Sequence, residues 1–169
     1  WWFDLPAAGG AVYVCILLGL TVTPRLAHPF DLEWMEGGML LHALRVVEGE
    51  GLYVSPSSDF IPFIYPPLYH WVLAAISGVS GGVDYLPGRL LSLVGTLAGT
   101  LALAAGLRRE GASVLLALGV AGLSLSTYDE TGAFYDLVRI DGLLLALWGW
   151  SLVAVRAGWL RLGGLLLVA

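Results

Sequence analysis

Pro66-Pro67-Leu68-Tyr69-His70-Trp71-Val72-Leu73-Ala74-Ala75-Ile76-Ser77 is the stretch on which the topology of this chain turns. It reads as an apolar helix with prolines in its first turn, where a missing N–H is tolerated. The run stops at Gly78 and Gly81-Gly82 after about 14 residues, whereas a bilayer crossing takes about 20. That length suits a helix lying at a membrane surface or re-entering it. If the stretch spans, two groups of carboxylates fall on opposite faces; if it does not, they share one face.

Outward from this stretch lie four apolar segments long enough, or nearly so, to cross a bilayer: Ala8–Leu26, Leu90–Leu107, Ala112–Ser126 and Gly142–Val155. The last two are short and borrow flanking residues, and a fifth begins near Leu160. Between the first two, Glu36 to Glu48 is amphipathic. Leu40, Ala43, Leu44 and Val47 share one helical face, away from His42, Arg45 and Glu48.

Charge fixes the side of the later acidic loop, and the Pro66 helix is expected at the surface because only that arrangement brings the carboxylates together. Arg108-Arg109 follow the second segment, while Arg156 and Arg161 follow the fourth. Two crossings separate these pairs, so they share a side, which the positive-inside rule makes cytoplasmic. With the Pro66 helix at the surface, loops 28–87 and 127–141 both lie outside. The first carries Asp31, Glu33, Glu36, Glu48, Glu50, Asp59 and Asp84; the second carries Asp129, Glu130, Asp136 and Asp141 with Arg139.

Composition agrees with a membrane protein. Mean hydropathy is +0.83 and 12% of residues are charged, against about 25% in soluble domains. All eight basic residues are arginine, and the net charge of −5 excludes the basic stripe of a nucleic-acid binder. Cys15, the single cysteine, lies in an apolar run and reads as a packing residue. The chain opens on Trp1-Trp2 and closes in an apolar run, and is expected to be the N-terminal part of a longer polypeptide. The expected fold is therefore all-α: a polytopic transmembrane helical bundle with juxtamembrane amphipathic helices in a large first external loop.

Carboxylates at the lip of membrane helices are costly to desolvate and need a partner or a function. Asp31, Glu33 and Glu36 are the leading functional candidates. Glu48, Glu50, Asp59 and Asp84 read as solvated loop acids. Arg139 and Asp141, at the mouth of the fourth segment, either position a first-loop acid or bind a sugar phosphate. Their bland alternative is a surface ion pair, joined by Asp136 one turn earlier. His28, His42 and His70 lack metal-ligand spacing, so no metal or other cofactor is expected. His70, beside Tyr69 and Trp71, is expected to line a pocket or the headgroup interface. Trp71, Trp148 and Trp150 read as interface anchors or packing residues, and Trp34 as a candidate for stacking on a sugar.

Taken in order, these blocks resemble the GT-C membrane glycosyltransferases that use a polyprenyl-phosphate sugar, such as protein O-mannosyltransferases and lipid A aminoarabinose transferases. They are a first span, acids opening a large external loop, Gly51-Leu52-Tyr53, Tyr65-Pro66-Pro67-Leu68-Tyr69, and Arg139-Ile140-Asp141-Gly142-Leu143 opening a later span. The resemblance covers nearly the whole chain, residues 1–169. It implies inverting transfer of a hexosyl or pentosyl group from a polyprenyl-phosphate donor to a lipid, glycan or protein acceptor. It places the site on the outer face of a plasma membrane, expected to be prokaryotic, among membrane lipids and without nucleic acid. It also implies that a first-loop acid is the general base. The usual Asp-Glu doublet is absent. Glu36 matches its second member best by spacing to the following helix, with Asp31 and Glu33 as alternatives. Tyr65 stands where the lipid A enzymes carry a lysine, so phosphate contacts fall to arginines, histidine or backbone N–H groups. A transporter using the same acids, or a noncatalytic membrane scaffold, are the competing expectations. The acids lie at segment ends rather than at the midplane, which disfavours transport.

Overall fold

The computed structural model describes residues 2–168. They form seven α-helices: α1 Asp4–Leu26, α2 Glu36–Val47, α3 Leu68–Ser80, α4 Tyr85–Arg109, α5 Val114–Ser124, α6 Asp141–Arg156 and α7 Leu160–Val168. Two 3₁₀ turns, Leu125–Tyr128 and Phe134–Asp136, separate α5 from α6. No strand occurs among the described residues, so the chain is all-helical.

Local chemistry sets the helix limits. Asp84 caps α4 by accepting the Tyr85 N–H at 2.6 Å, and Ser113 caps α5 by accepting the Leu116 N–H at 3.0 Å. Gly81, at φ +95°, closes α3 in the left-handed conformation that a side chain would resist. At 1.5 Å per residue α3 is about 20 Å long and α5 about 17 Å, both short of the ~30 Å hydrocarbon core, though the 3₁₀ turn Leu125–Tyr128 prolongs α5. Helices α1 and α4 are long and apolar enough to cross a membrane, with mean hydropathies of 2.0 and 1.9.

Close backbone approach builds the bundle. A Cβ at Gly95 of α4 would lie 2.6 Å from the Gly142 carbonyl carbon of α6. A Cβ at Gly142 would collide with the carbonyl oxygen of Ser92. Gly149 faces Ala102 in the same way, so α4 and α6 run side by side in one direction. Helices α1 and α5 do likewise, with Gly119 against Ala7 and Gly122 against Ala11. Small residues at such contacts let the backbones approach closely, so that dispersion holds the helices together. The burial pattern is inverted to match. Arg89, Glu36, Asp136, Ser92 and Thr96 are buried, while Leu20 of α1 is 70% exposed, Leu101 of α4 53% and Leu152 of α6 65%.

Helices α1 and α5 thus oppose α4 and α6, and segments 27–84 and 125–140 gather at one end. Contacts between them fix this placement: Arg25 with Asp136, Arg89 with the carbonyls of Arg25 and His28, and Ser92 with the carbonyl of Arg139. Helix α3 packs on α2 and on the start of α4, where the Tyr69 hydroxyl donates to the Gly88 carbonyl at 2.9 Å. The other end carries Glu110 and Arg156 in an ion pair.

Candidate functional site

The end that gathers the two loops is organised by a buried ion pair. Glu36 opens α2 and Arg89 sits in the second turn of α4, and neither side chain is exposed to solvent. Arg89 Nε donates to Glu36 Oε1 at 2.9 Å, and its Nη2 donates to Oε2 at 2.7 Å. The remaining Arg89 donors reach the carbonyls of Arg25, His28 and Phe30 at 2.9, 2.6 and 2.8 Å. All five guanidinium N–H groups are thereby used. Glu36 also accepts the backbone N–H groups of Leu32 at 2.7 Å and Val138 at 2.9 Å, so its four acceptor positions are filled. Burial pushes the Glu36 carboxyl up. The hydrogen bonds from Arg89, Leu32 and Val138 outweigh it and hold the group below the usual carboxylate range. One ion pair therefore ties together the end of α1, the 27–36 loop, α2, α4 and the second loop.

The other two first-loop acids sit differently. Asp31 is exposed and accepts one side-chain hydrogen bond, from the Tyr85 hydroxyl at 3.0 Å. Its carboxylate lies against the start of α2, where a Cβ at Gly37 would stand 3.2 Å from Oδ1. Glu33 is half-buried and accepts the Met35 N–H at 3.1 Å. Arg139 Nη1 stands 3.4 Å from the same Glu33 oxygen, while its Nε donates to Asp141 at 2.9 Å. The Arg139 guanidinium carbon lies 3.8 Å from the centre of the Phe134 ring, a cation–π contact. Glu33, Arg139 and Asp141 thus form one cluster across the two loops.

Aromatic residues surround this mouth. Trp34 is 77% exposed and meets the edge of Phe63. Phe63 lies over Gly38, where a Cβ would come within 2.6 Å of its ring. The Gly37-Gly38 pair is therefore already covered by Asp31 and Phe63. Tyr65 is half-buried, with its hydroxyl 3.8 Å from the Met35 sulfur.

His70 does not reach the mouth. It is 1% exposed, its ring centre is 5.1 Å from that of His42, and neither ring nitrogen has a hydrogen-bond partner. Burial, then the neighbouring His42, pushes its pKa down to about 4, so it is a neutral core residue at neutral pH rather than a pocket-lining one. His42 beside it is satisfied, accepting the Phe63 N–H at Nε2 and bonding the Gly38 carbonyl through Nδ1. Arg139 and Asp141 do pair, but Asp136, which the surface-ion-pair alternative would have joined to them, does not. Asp136 is buried, pairs with Arg25 at 2.6 Å and accepts the Tyr128 hydroxyl at 2.7 Å, because the 3₁₀ turn 134–136 points it back toward α1.

Arg89, Tyr85 and Arg25 do not figure among the candidates drawn from the sequence. Arg89 had a legible signal: a lone arginine at the edge of an apolar run must be paired or snorkel. Tyr85 had none, since an aromatic residue at a span end is common.

From Asp141 an apolar groove of about 740 Å³ follows α6 to Arg156. Gly99 and Leu103 of α4, Leu125 after α5, and Leu145 and Leu152 of α6 line it, with Phe134 and Tyr135 beside Asp141 at its head. No group of three or more metal-ligating side chains occurs among the described residues. Comparison with protein-family models, curated protein sequences and solved structures yields no match.

Proposed function

We propose that this chain is a polytopic membrane glycosyltransferase that moves a sugar from a polyprenyl-phosphate donor to an acceptor hydroxyl or amine. The observation that carries the reading is Arg139, held between Glu33 and Asp141, where Asp141 heads an apolar groove along α6; Asp31 is on the same end of the bundle, bonded to Tyr85 at the start of α4. A lipid phosphate has two corresponding parts, a charged head and an apolar chain.

In this scheme Asp31 takes the acceptor proton as the acceptor atom bonds to the anomeric carbon. The bond from that carbon to the phosphate oxygen breaks, and the polyprenyl phosphate leaves with the electron pair, inverting the sugar. Asp31 suits the base because it is exposed and carries one side-chain hydrogen bond; Glu36, with four acceptor positions filled, has no site left for a proton. Arg139 supplies the cation for the phosphate in a chain without lysine. Trp34 presents its ring as a face for the sugar.

Sugar transfer from a purified polyprenyl-phosphate donor in membranes carrying the protein tests the reading. Arg139→Gln is expected to raise the donor KM about 10- to 150-fold, the worth of a charge-assisted hydrogen bond of about 1.5–3 kcal/mol. An unchanged KM would remove Arg139 from phosphate recognition. Absence of transfer from every polyprenyl-phosphate sugar offered to the unaltered protein would remove the transferase reading.

The membrane reading has its own test. Helices α1, α4 and α6 cross, α5 crosses alongside α1 with the 3₁₀ turn to Tyr128 completing it, α3 lies at the surface, and the end carrying Arg108 and Arg156 faces the cytoplasm. Single cysteines at Ser57, Thr131 and Gly111 in a Cys15→Ser background should label with an impermeant reagent from two sides. Ser57 and Thr131 should react from outside and Gly111 from inside. Ser57 and Gly111 reacting from one side would overturn the arrangement.

A further inference from the structure

At the end of the bundle away from the acids, a second apolar cavity of about 490 Å³ opens between α4, α6 and α7. Ala105 of α4, Leu147 and Trp150 of α6, and Leu166 of α7 line it, with Trp159 ahead of α7. Trp150 donates its indole N–H to the Ala98 carbonyl at 3.0 Å. What it offers the cavity is therefore apolar ring surface. Arg109, the last residue of α4, stands on the lining and is exposed.

Its surroundings are what mark it. The neighbouring side chains are already engaged: Arg156 pairs with Glu110, and Arg108 donates to the Ala112 carbonyl. Among the described residues no hydrogen bond or ion pair holds the Arg109 guanidinium. An unneutralised cation at the mouth of an apolar, tryptophan-lined cavity is complementary to a molecule with an anionic head and a hydrocarbon tail. A membrane supplies that molecule in the leaflet where the arginines lie.

We propose that this cavity binds one anionic phospholipid, with its phosphate on Arg109 and an acyl chain against Trp150, Trp159 and Leu166. The proposal rests on the reading of α4 and α6 as membrane-spanning; Arg109 and Val153 also stand at the far end of the groove along α6, and the binding test below reads lipid retention without any sugar transfer. The site is separate from the acid mouth, at the opposite end of α4 and α6. Its role is to bind lipid along the contact of α7 with α6. That contact is otherwise held by Gly163 against Val155 and by the Ser151 hydroxyl on the Gly163 carbonyl at 2.8 Å.

Native mass spectrometry of the detergent-purified protein, titrated with phosphatidylglycerol or phosphatidylcholine, provides the test. One phosphatidylglycerol should be retained about fivefold more tightly than phosphatidylcholine, the effect expected of one interfacial arginine. Arg109→Gln should abolish that preference, and Ala105→Phe, which fills the cavity, should weaken both lipids. Arg161→Gln removes an equal charge from a residue that does not line the cavity, and should leave the preference in place. Equal retention of the two lipids by the unaltered protein would overturn the proposal. So would an equal loss in Arg109→Gln and Arg161→Gln, which is diffuse attraction, or unaltered binding in Ala105→Phe. If the cysteine-labelling pattern fails as well, the membrane reading falls; if it holds, only the lipid site is lost.

Discussion

Arg89→Met should destabilise the protein by about 3–5 kcal/mol, the usual cost of removing one partner from a buried ion pair. The cause is the carboxylate left behind. Glu36 is fully buried and two of its four hydrogen bonds come from Arg89, so the substitution strands a desolvated charge. It also frees the carbonyls of Arg25, His28 and Phe30. Protonation of Glu36 relieves part of this, which gives a pH signature. In the unaltered protein the folded pKa is depressed. The stabilisation is therefore present above the ordinary carboxylate pKa and is lost only as pH falls through the lower, folded value. In Arg89→Met the depression is gone, and the variant should lose less stability than the parent on acidification. Thermal unfolding in detergent across pH 3–8, with the double variant Arg89→Met/Glu36→Leu, reads both effects. Recovery of at least part of the lost stability in the double variant is expected. A single variant as stable as the parent would mean that the pair does not hold this end of the bundle.

Asp31→Asn should lower sugar transfer by about 10²–10⁴-fold, the worth of a positioned general base. The amide keeps the shape and can still accept the Tyr85 hydroxyl, so folding should be nearly unaffected at this exposed position. Glu36→Gln also loses transfer, but through the fold, since a neutral amide cannot match Arg89 and its N–H₂ would face a donor. The two variants therefore separate in a paired measurement: turnover at matched expression, and the unfolding midpoint. Asp31→Asn should fall in the first alone, and Glu36→Gln in both. Glu33→Gln should keep much of its turnover, because Glu33 is engaged by Arg139 and the Met35 N–H. Near-parent turnover in Asp31→Asn would leave the base elsewhere.

The helices are legible in the amino-acid sequence. Apolar runs, the prolines before Leu68 and the glycine after Ser80 mark α3, and the same local signals place α1, α2, α4, α5 and α6 within a few residues of the observed limits. These features depend on backbone geometry and on neighbours three or four residues away, which a linear sequence displays. The distinction among three acids within six residues is not legible there. Asp31, Glu33 and Glu36 are chemically alike, and what separates them is an arginine 53 residues from Glu36 and another 106 residues from Glu33. Glu36, favoured on spacing, is the acid that Arg89 saturates. Asp136 is likewise drawn away from its sequence neighbour Arg139 by Arg25, 111 residues distant. Hydropathy and capping act along the chain, whereas the state of a carboxylate is set by which charges and N–H groups folding brings around it. The helices follow residue by residue from the chain itself, but the availability of each acid is decided only where α1, α2 and α4 meet.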